Sequence, residues 1–112
     1  MSDTRAKRIA ELNDQFRKDP TMHGTTYMTD GVIAKGPEFA SKALAKVMAF
    51  DRFTEDNDPH GEHDFGSFEL FGEKLFWKVD YYSADDPNLG SEDPSDPGKT
   101  GRVLTIMLAE EY

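Results

Sequence analysis

The residues best suited to chemistry sit in one run of nine, Asp56-Asn57-Asp58-Pro59-His60-Gly61-Glu62-His63-Asp64, six of which carry carboxylate or imidazole groups. His60 and His63, three residues apart and flanked by carboxylates, form the kind of nitrogen and oxygen donor set that zinc, manganese or iron accepts. Asp56, Asp58 and Gly61 also fall at the first, third and sixth positions of a calcium loop. The rest of that loop is missing: His60 stands where an oxygen donor is usual, and Ser67 stands where a bidentate glutamate would close the shell. A divalent-metal reading therefore uses Asp56, Asp58, His60, His63 and Asp64, with metal-dependent hydrolysis as its chemistry. A proton-transfer reading makes His60 or His63 a base oriented by Glu62 or Asp64, but spacing ties no nucleophile to either histidine. The simpler reading is structural. Asp58-Pro59 and Gly61 build turns, the aspartates cap backbone amides, and His63 packs at the mouth of a hairpin opposite Tyr82. The chain has no Gly-x-Ser-x-Gly, phosphate-binding glycine loop or dinucleotide fingerprint, so no catalytic residue is assigned and nucleotide chemistry is disfavoured.

Charge gives a second line of argument. The chain carries 13 lysines and arginines against 22 aspartates and glutamates, a formal net charge of -9. Residues 1–50 hold 8 basic and 6 acidic side chains, whereas residues 51–112 hold 5 and 16. Such a balance opposes direct binding of nucleic acid and instead favours a basic protein partner. Duplex DNA presents about one negative charge per 1.7 Å of axis, so a small fold that gathers its carboxylates on one face can compete for a basic groove. The expected contact residues are Glu55, Asp56 and Asp58 in a first acidic loop over about 54–64, and Asp85, Asp86, Glu92, Asp93 and Asp96 in a second over about 83–101. The basic residues Arg5, Lys7, Arg8, Arg17 and Lys18 read as a solvated helix face, or as a contact to the chain's own acidic loops. His23 reads as a turn residue, and Tyr81, Tyr82 and Tyr112 as core or rim.

These residues must be positioned by one small fold. A chain of 112 residues with 37% apolar content supports a single core, so residues 1–112 are expected to form one α+β domain. Ile9, Leu12 and Phe16 recur at helical spacing over about Thr4 to Arg17, and Asp19-Pro20 ends that helix. Thr25 to Met28 reads as a short strand followed by a turn at Thr29-Asp30-Gly31. Pro37 opens a second helix whose stripe includes Phe39, Ala43, Val47 and Phe50. Phe65–Phe71 and Lys74–Tyr82 form a hairpin about Gly72-Glu73, expected as a type II′ turn that sets Leu70 against Leu75, Phe68 against Trp77 and Gly66 against Val79. Trp77 is then core. Val103 to Leu108 is apolar at nearly every position, as in a central strand. The expected architecture is two helices packed on an antiparallel sheet of about four strands, with a long acidic loop. Lacking cysteine and any apolar run of about 18 residues, and opening on a polar helix without a signal-peptide core, the chain is expected to be soluble and cytoplasmic.

The segments Phe53-Thr54, Asp56 to Gly66, Lys78 to Tyr82 and Arg102 to Tyr112 together resemble a family of small bacterial proteins classed as a domain of unknown function. The Asn57-to-Asp64 string is the most specific part, and the likeness extends back to the helix around Arg8 to Asp14. The resemblance implies a single-domain protein often carried on plasmids and other mobile elements. It implies no cofactor and no site residue. That setting favours proteins that blunt host defence, so the expectation is an acidic inhibitor or DNA mimic of the antirestriction or anti-CRISPR type, with metal-dependent hydrolysis as the alternative.

Overall fold

The computed structural model describes residues 4–19 and 24–112. His23 lies outside them. The first helix, α1, runs Thr4–Lys18 and buries Ala6, Ile9, Ala10, Leu12 and Phe16, as its apolar spacing dictates. Strand β1 follows at Gly24–Met28, then α2 at Asp30–Ala34 and α3 at Pro37–Met48. The second half supplies β2 (Phe65–Leu70), β3 (Glu73–Ser83) and β4 (Thr100–Leu108), closed by a 3₁₀ turn at Ala109–Glu111. The fold is α+β. Among the described residues no helix is long and apolar enough to cross a membrane.

The sheet order is β1-β4-β3-β2, and it is mixed rather than antiparallel, because β1 runs parallel to β4. Side-chain alternation identifies a strand but says nothing of its direction. The helices and the hairpin between β1 and β4 supply the long crossover that a parallel neighbour requires. Strand β4 is central, as its apolar run predicts, with Leu104 and Ile106 fully buried.

Helix α2 was expected as a turn. Its five residues could not hold a helix alone. Two tertiary contacts sustain it: Val32 is fully buried, and the Glu111 carboxylate accepts hydrogen bonds from Thr29 Oγ1 (2.6 Å) and Gly31 N (3.0 Å). Both partners of that clasp lie about 80 residues apart, which is why no local signal announces the element.

The hairpin forms with its register displaced by two. Leu70 pairs with Glu73, Phe68 with Leu75 and Gly66 with Trp77. The turn is Phe71-Gly72, both with positive φ (50° and 79°), the signature of type I′ rather than II′. A shift of two leaves every side chain on its expected face. Trp77 decides the register: a Cβ on Gly66 would lie 2.4 Å from Trp77 Nε1, so the indole needs a partner without a side chain. Phe71 holds a left-handed backbone conformation that favours asparagine over phenylalanine. Phe71→Asn, which creates the preferred Asn-Gly turn, should therefore raise stability by about 0.5–1 kcal/mol in urea unfolding. An unchanged or lowered midpoint would mean that the Phe71 contact with Phe39, at 6.2 Å between ring centroids, outweighs the backbone strain.

Candidate functional site

Strand direction brings the acidic segments together. The start of β2, the end of β3 and the start of β4 share one end of the sheet, so the 49–64 and 84–99 connections both open there. The first connection continues along β3, with Val79 N donating to Asp64 O (2.9 Å). The second is not a slack loop. Ser91 Oγ and Thr100 Oγ1 lie 2.7 Å apart, Ser95 N donates to Asp93 (3.1 Å), Gly98 N donates to Asp96 (2.9 Å), and Tyr82 forms an isolated bridge with Gly90. Short polar side chains thus replace a core there, closing the turns by local hydrogen bonds.

Helix α1 ties both loops down. Asn13, fully buried, donates from Nδ2 to Glu62 O (3.0 Å) and Tyr81 Oη (2.8 Å) and accepts from Arg102 Nε (2.7 Å). Arg102 is itself buried and reaches the second loop through Pro94 O (2.5 Å), while Arg5 pairs with Asp93 at 3.4 Å. The contact between the helix and the chain's own acidic loops, one of the two readings of its basic face, is thus made by Arg5. Arg17 departs from both readings. Only 1% exposed, it lies over Trp77 and donates to Val47 O (2.8 Å), Phe50 O (2.7 Å) and Asp14 Oδ1 (2.8 Å). It thus caps the chain as it leaves α3, adding a second donor to Val47 O, which also accepts from Phe50 N (3.2 Å), and supplying one to Phe50 O.

Asp14 also holds the first loop. His63 Nδ1 lies 3.0 Å from both Asp14 carboxylate oxygens, and Nε2 lies 3.7 Å from Asp58 Oδ2. The imidazole stacks flat on Phe53, 3.8 Å between centroids and 3° between planes. His63 therefore sits under α1 and not against Tyr82. Its backbone φ of 55° comes with a hydrogen bond from its N–H to the buried Asp58 carboxylate (3.2 Å). This is the amide-capping role that turn chemistry assigns to an aspartate here.

The donor-rich run is accordingly divided. Asp58 and His63 turn inward to the α1 contact, Glu62 and Asp64 are half-buried, and Asp56 and His60 face solvent. Among the described residues no three histidine or carboxylate side chains converge as a metal-ligating group. Of the eight proposed contact carboxylates, Asp58 is buried, Asp93 is engaged by Arg5 and Ser95, Asp86 accepts from Asn88 N (2.9 Å) and Asp96 from Gly98 N. Glu55, Asp56, Asp85 and Glu92 stand exposed. Asn13, Arg17, Tyr81 and Arg102 organise this end, and no sequence signal groups them, because nothing in their spacing joins residues up to 89 positions apart.

Electrostatics record the crowding. Burial, followed by repulsion from Asp64, holds the Glu62 carboxyl above its ordinary value of 4.5. Burial also lifts Asp64 above its ordinary 3.8, against a hydrogen bond from its own backbone and with further repulsion from Asp58 and Asp80. Burial likewise raises the Tyr81 hydroxyl and lowers the Arg102 guanidinium. For a raised carboxyl the folded state binds the proton more tightly than the unfolded chain does. Its contribution is thus most favourable below the ordinary value and is lost as pH rises through the folded one. Glu62→Gln with Asp64→Asn should therefore be more stable than the parent at pH 7, and the advantage should vanish below about pH 4. Thermal melts across that range measure it. A gain that persists undiminished in acid would assign it to something other than the carboxylates' charge.

A family model described as "Protein of unknown function (DUF3768)" matches residues 28–111. No curated protein and no solved structure matches the chain.

Proposed function

The chain belongs to the DUF3768 family, and from the geometry of its acidic end we propose that it is a small interaction protein that presents this end to a basic protein surface. One observation carries the reading: the topology opens both acidic loops at the same end of the sheet, with α1 fixing them in place. Carboxylates held on ordered loops lose little conformational freedom on binding, and like charges kept close are tolerated where a cationic partner will neutralise them. The partner class proposed is a nucleic-acid-handling complex of host defence, whose groove is built to neutralise about one phosphate charge per 1.7 Å. The chain then acts as an inhibitor by occupying that groove, without binding nucleic acid or a metal itself.

Poly-L-lysine is the direct probe. The parent should bind it, and affinity should fall steeply between about 50 and 200 mM salt. Neutralising the four exposed carboxylates as Glu55→Gln, Asp56→Asn, Asp85→Asn and Glu92→Gln should weaken binding by about tenfold or more. The melting temperature should stay within about 4 °C of the parent, since none of the four holds the fold. The parent, and not this variant, should also protect duplex DNA from restriction or RNA-guided nucleases of a bacterial host. Equal binding by parent and variant would dismiss the acidic end as the contact surface.

A further inference from the structure

At the other end of the molecule, an open groove of 410 Å³ runs between the C-terminal half of α3 and the β2–β3 turn, lined by Lys42, Ala45, Lys46, Ala49, Leu70 and Phe71. Its floor and far wall are apolar, and Phe71 stands 68% exposed on the strained turn. The two lysines are one helical turn apart on the rim. In a chain of net charge -9, among the described residues neither enters an ion pair. A fitting occupant has one bulky apolar residue with carboxylates beside it.

The chain carries such a segment itself. Leu89 is 58% exposed and follows Asp85-Asp86-Pro87-Asn88 in the second acidic loop. It is held outward, because Ser83 N donates to Leu89 O (2.8 Å) and Leu89 N donates to Asp86 O (3.1 Å). An apolar side chain presented on a pinned backbone needs little ordering to dock, and the aspartates beside it complement the lysine rim. We infer that the chain self-associates, the Leu89 tip of one copy entering the Lys42, Lys46 and Phe71 groove of another. Since groove and tip lie at opposite ends of the sheet, the contact is either reciprocal in an antiparallel dimer or repeated head to tail. The groove is separate from the surface assigned to a basic partner. A copy engaged through Leu89 nevertheless has its second acidic loop covered, so the two associations compete.

Sedimentation velocity over a concentration series up to about 1 mM tests the inference. The mass should rise above the 12.6 kDa monomer with concentration and fall again at high salt. Leu89→Asp and the pair Lys42→Glu, Lys46→Glu should each weaken association about tenfold or more. The decisive arm mixes the lysine-reversed chain with one carrying Asp85→Lys and Asp86→Lys, which should restore association that neither shows alone. A parent that stays monomeric, an association indifferent to Leu89 and the lysines, or a mixture no better than its components would each overturn it. The lysine-reversed chain should still bind poly-L-lysine, so a failure of self-association leaves the acidic-end reading standing, and the converse holds.

Discussion

Arg17→Ala is expected to cost about 3–5 kcal/mol of unfolding free energy, read as a drop in the urea midpoint at pH 7. Among the described residues Arg17 is the most buried charge; its two terminal nitrogens donate to Val47 O in the last turn of α3, to Phe50 O just beyond it and to the Asp14 carboxylate, while Nε is buried without a partner. Truncation leaves Phe50 O without the donor it has here, takes one of two donors from Val47 O and the cation from Asp14, and opens a void beside Trp77 and Phe53, over which the guanidinium lies at 4.9 and 5.4 Å. Arg17→Lys should recover only part of the loss, because a single ammonium cannot reproduce a planar fork aimed at three acceptors. Arg17→Met keeps the aliphatic stem and isolates the polar contribution. A loss below about 1 kcal/mol for the alanine variant would show that α3 keeps its end without this cap.

The second large effect is Trp77→Ala, expected at about 3–5 kcal/mol. The indole is fully buried, with Phe50 at 5.4 Å and 75° and Phe53 at 6.1 Å and 89° in edge-to-face geometry. Opposite it stands Gly66, which has no side chain to collapse into the space left behind. Trp77→Phe should lose less, giving up the contact with Arg17 while keeping an aromatic ring in the cluster. Because Arg17 and Trp77 touch, the double alanine variant should fall short of the sum of the single losses. Strict additivity would argue that the two side chains stabilise separate parts of the fold. Trp77 is the only tryptophan, so its fluorescence follows the unfolding of this cluster in the parent.

Much of the fold is legible in residue order alone, for definite reasons. The stripes Ile9, Leu12, Phe16 and Phe39, Ala43, Val47 repeat at the helical period, and the elements they mark appear as α1 and α3. Alternation from Phe65 to Tyr82 marks the hairpin, and the apolar run at Val103 to Leu108 places β4 at the sheet's centre. The concentration of proline, glycine, serine and aspartate between Asp85 and Gly98 denies that stretch a regular element. The capping role of Asp58 and the core position of Trp77 were also readable. All of these are short-range patterns, and each is imposed on the sequence by the geometry of a single element.

What alternation and periodicity could not settle belongs to contacts between distant residues. They leave open the parallel pairing of β1 with β4, because side-chain alternation is the same in either direction. They leave the hairpin register free by two positions, which packing of Trp77 over Gly66 then removes. A helix at Asp30–Ala34 exists only through Glu111 and the burial of Val32. Composition likewise reads the acidic and basic groups as surface charge, yet Asp14, Arg17, Asp58, His63 and Arg102 face inward around Asn13 and Phe53. The sequence by itself determined the types of the elements other than α2, the acidity and the family. Only the tertiary structure decided which charges are buried and which are free to meet a partner, because desolvation depends on neighbours brought together from up to 89 positions away.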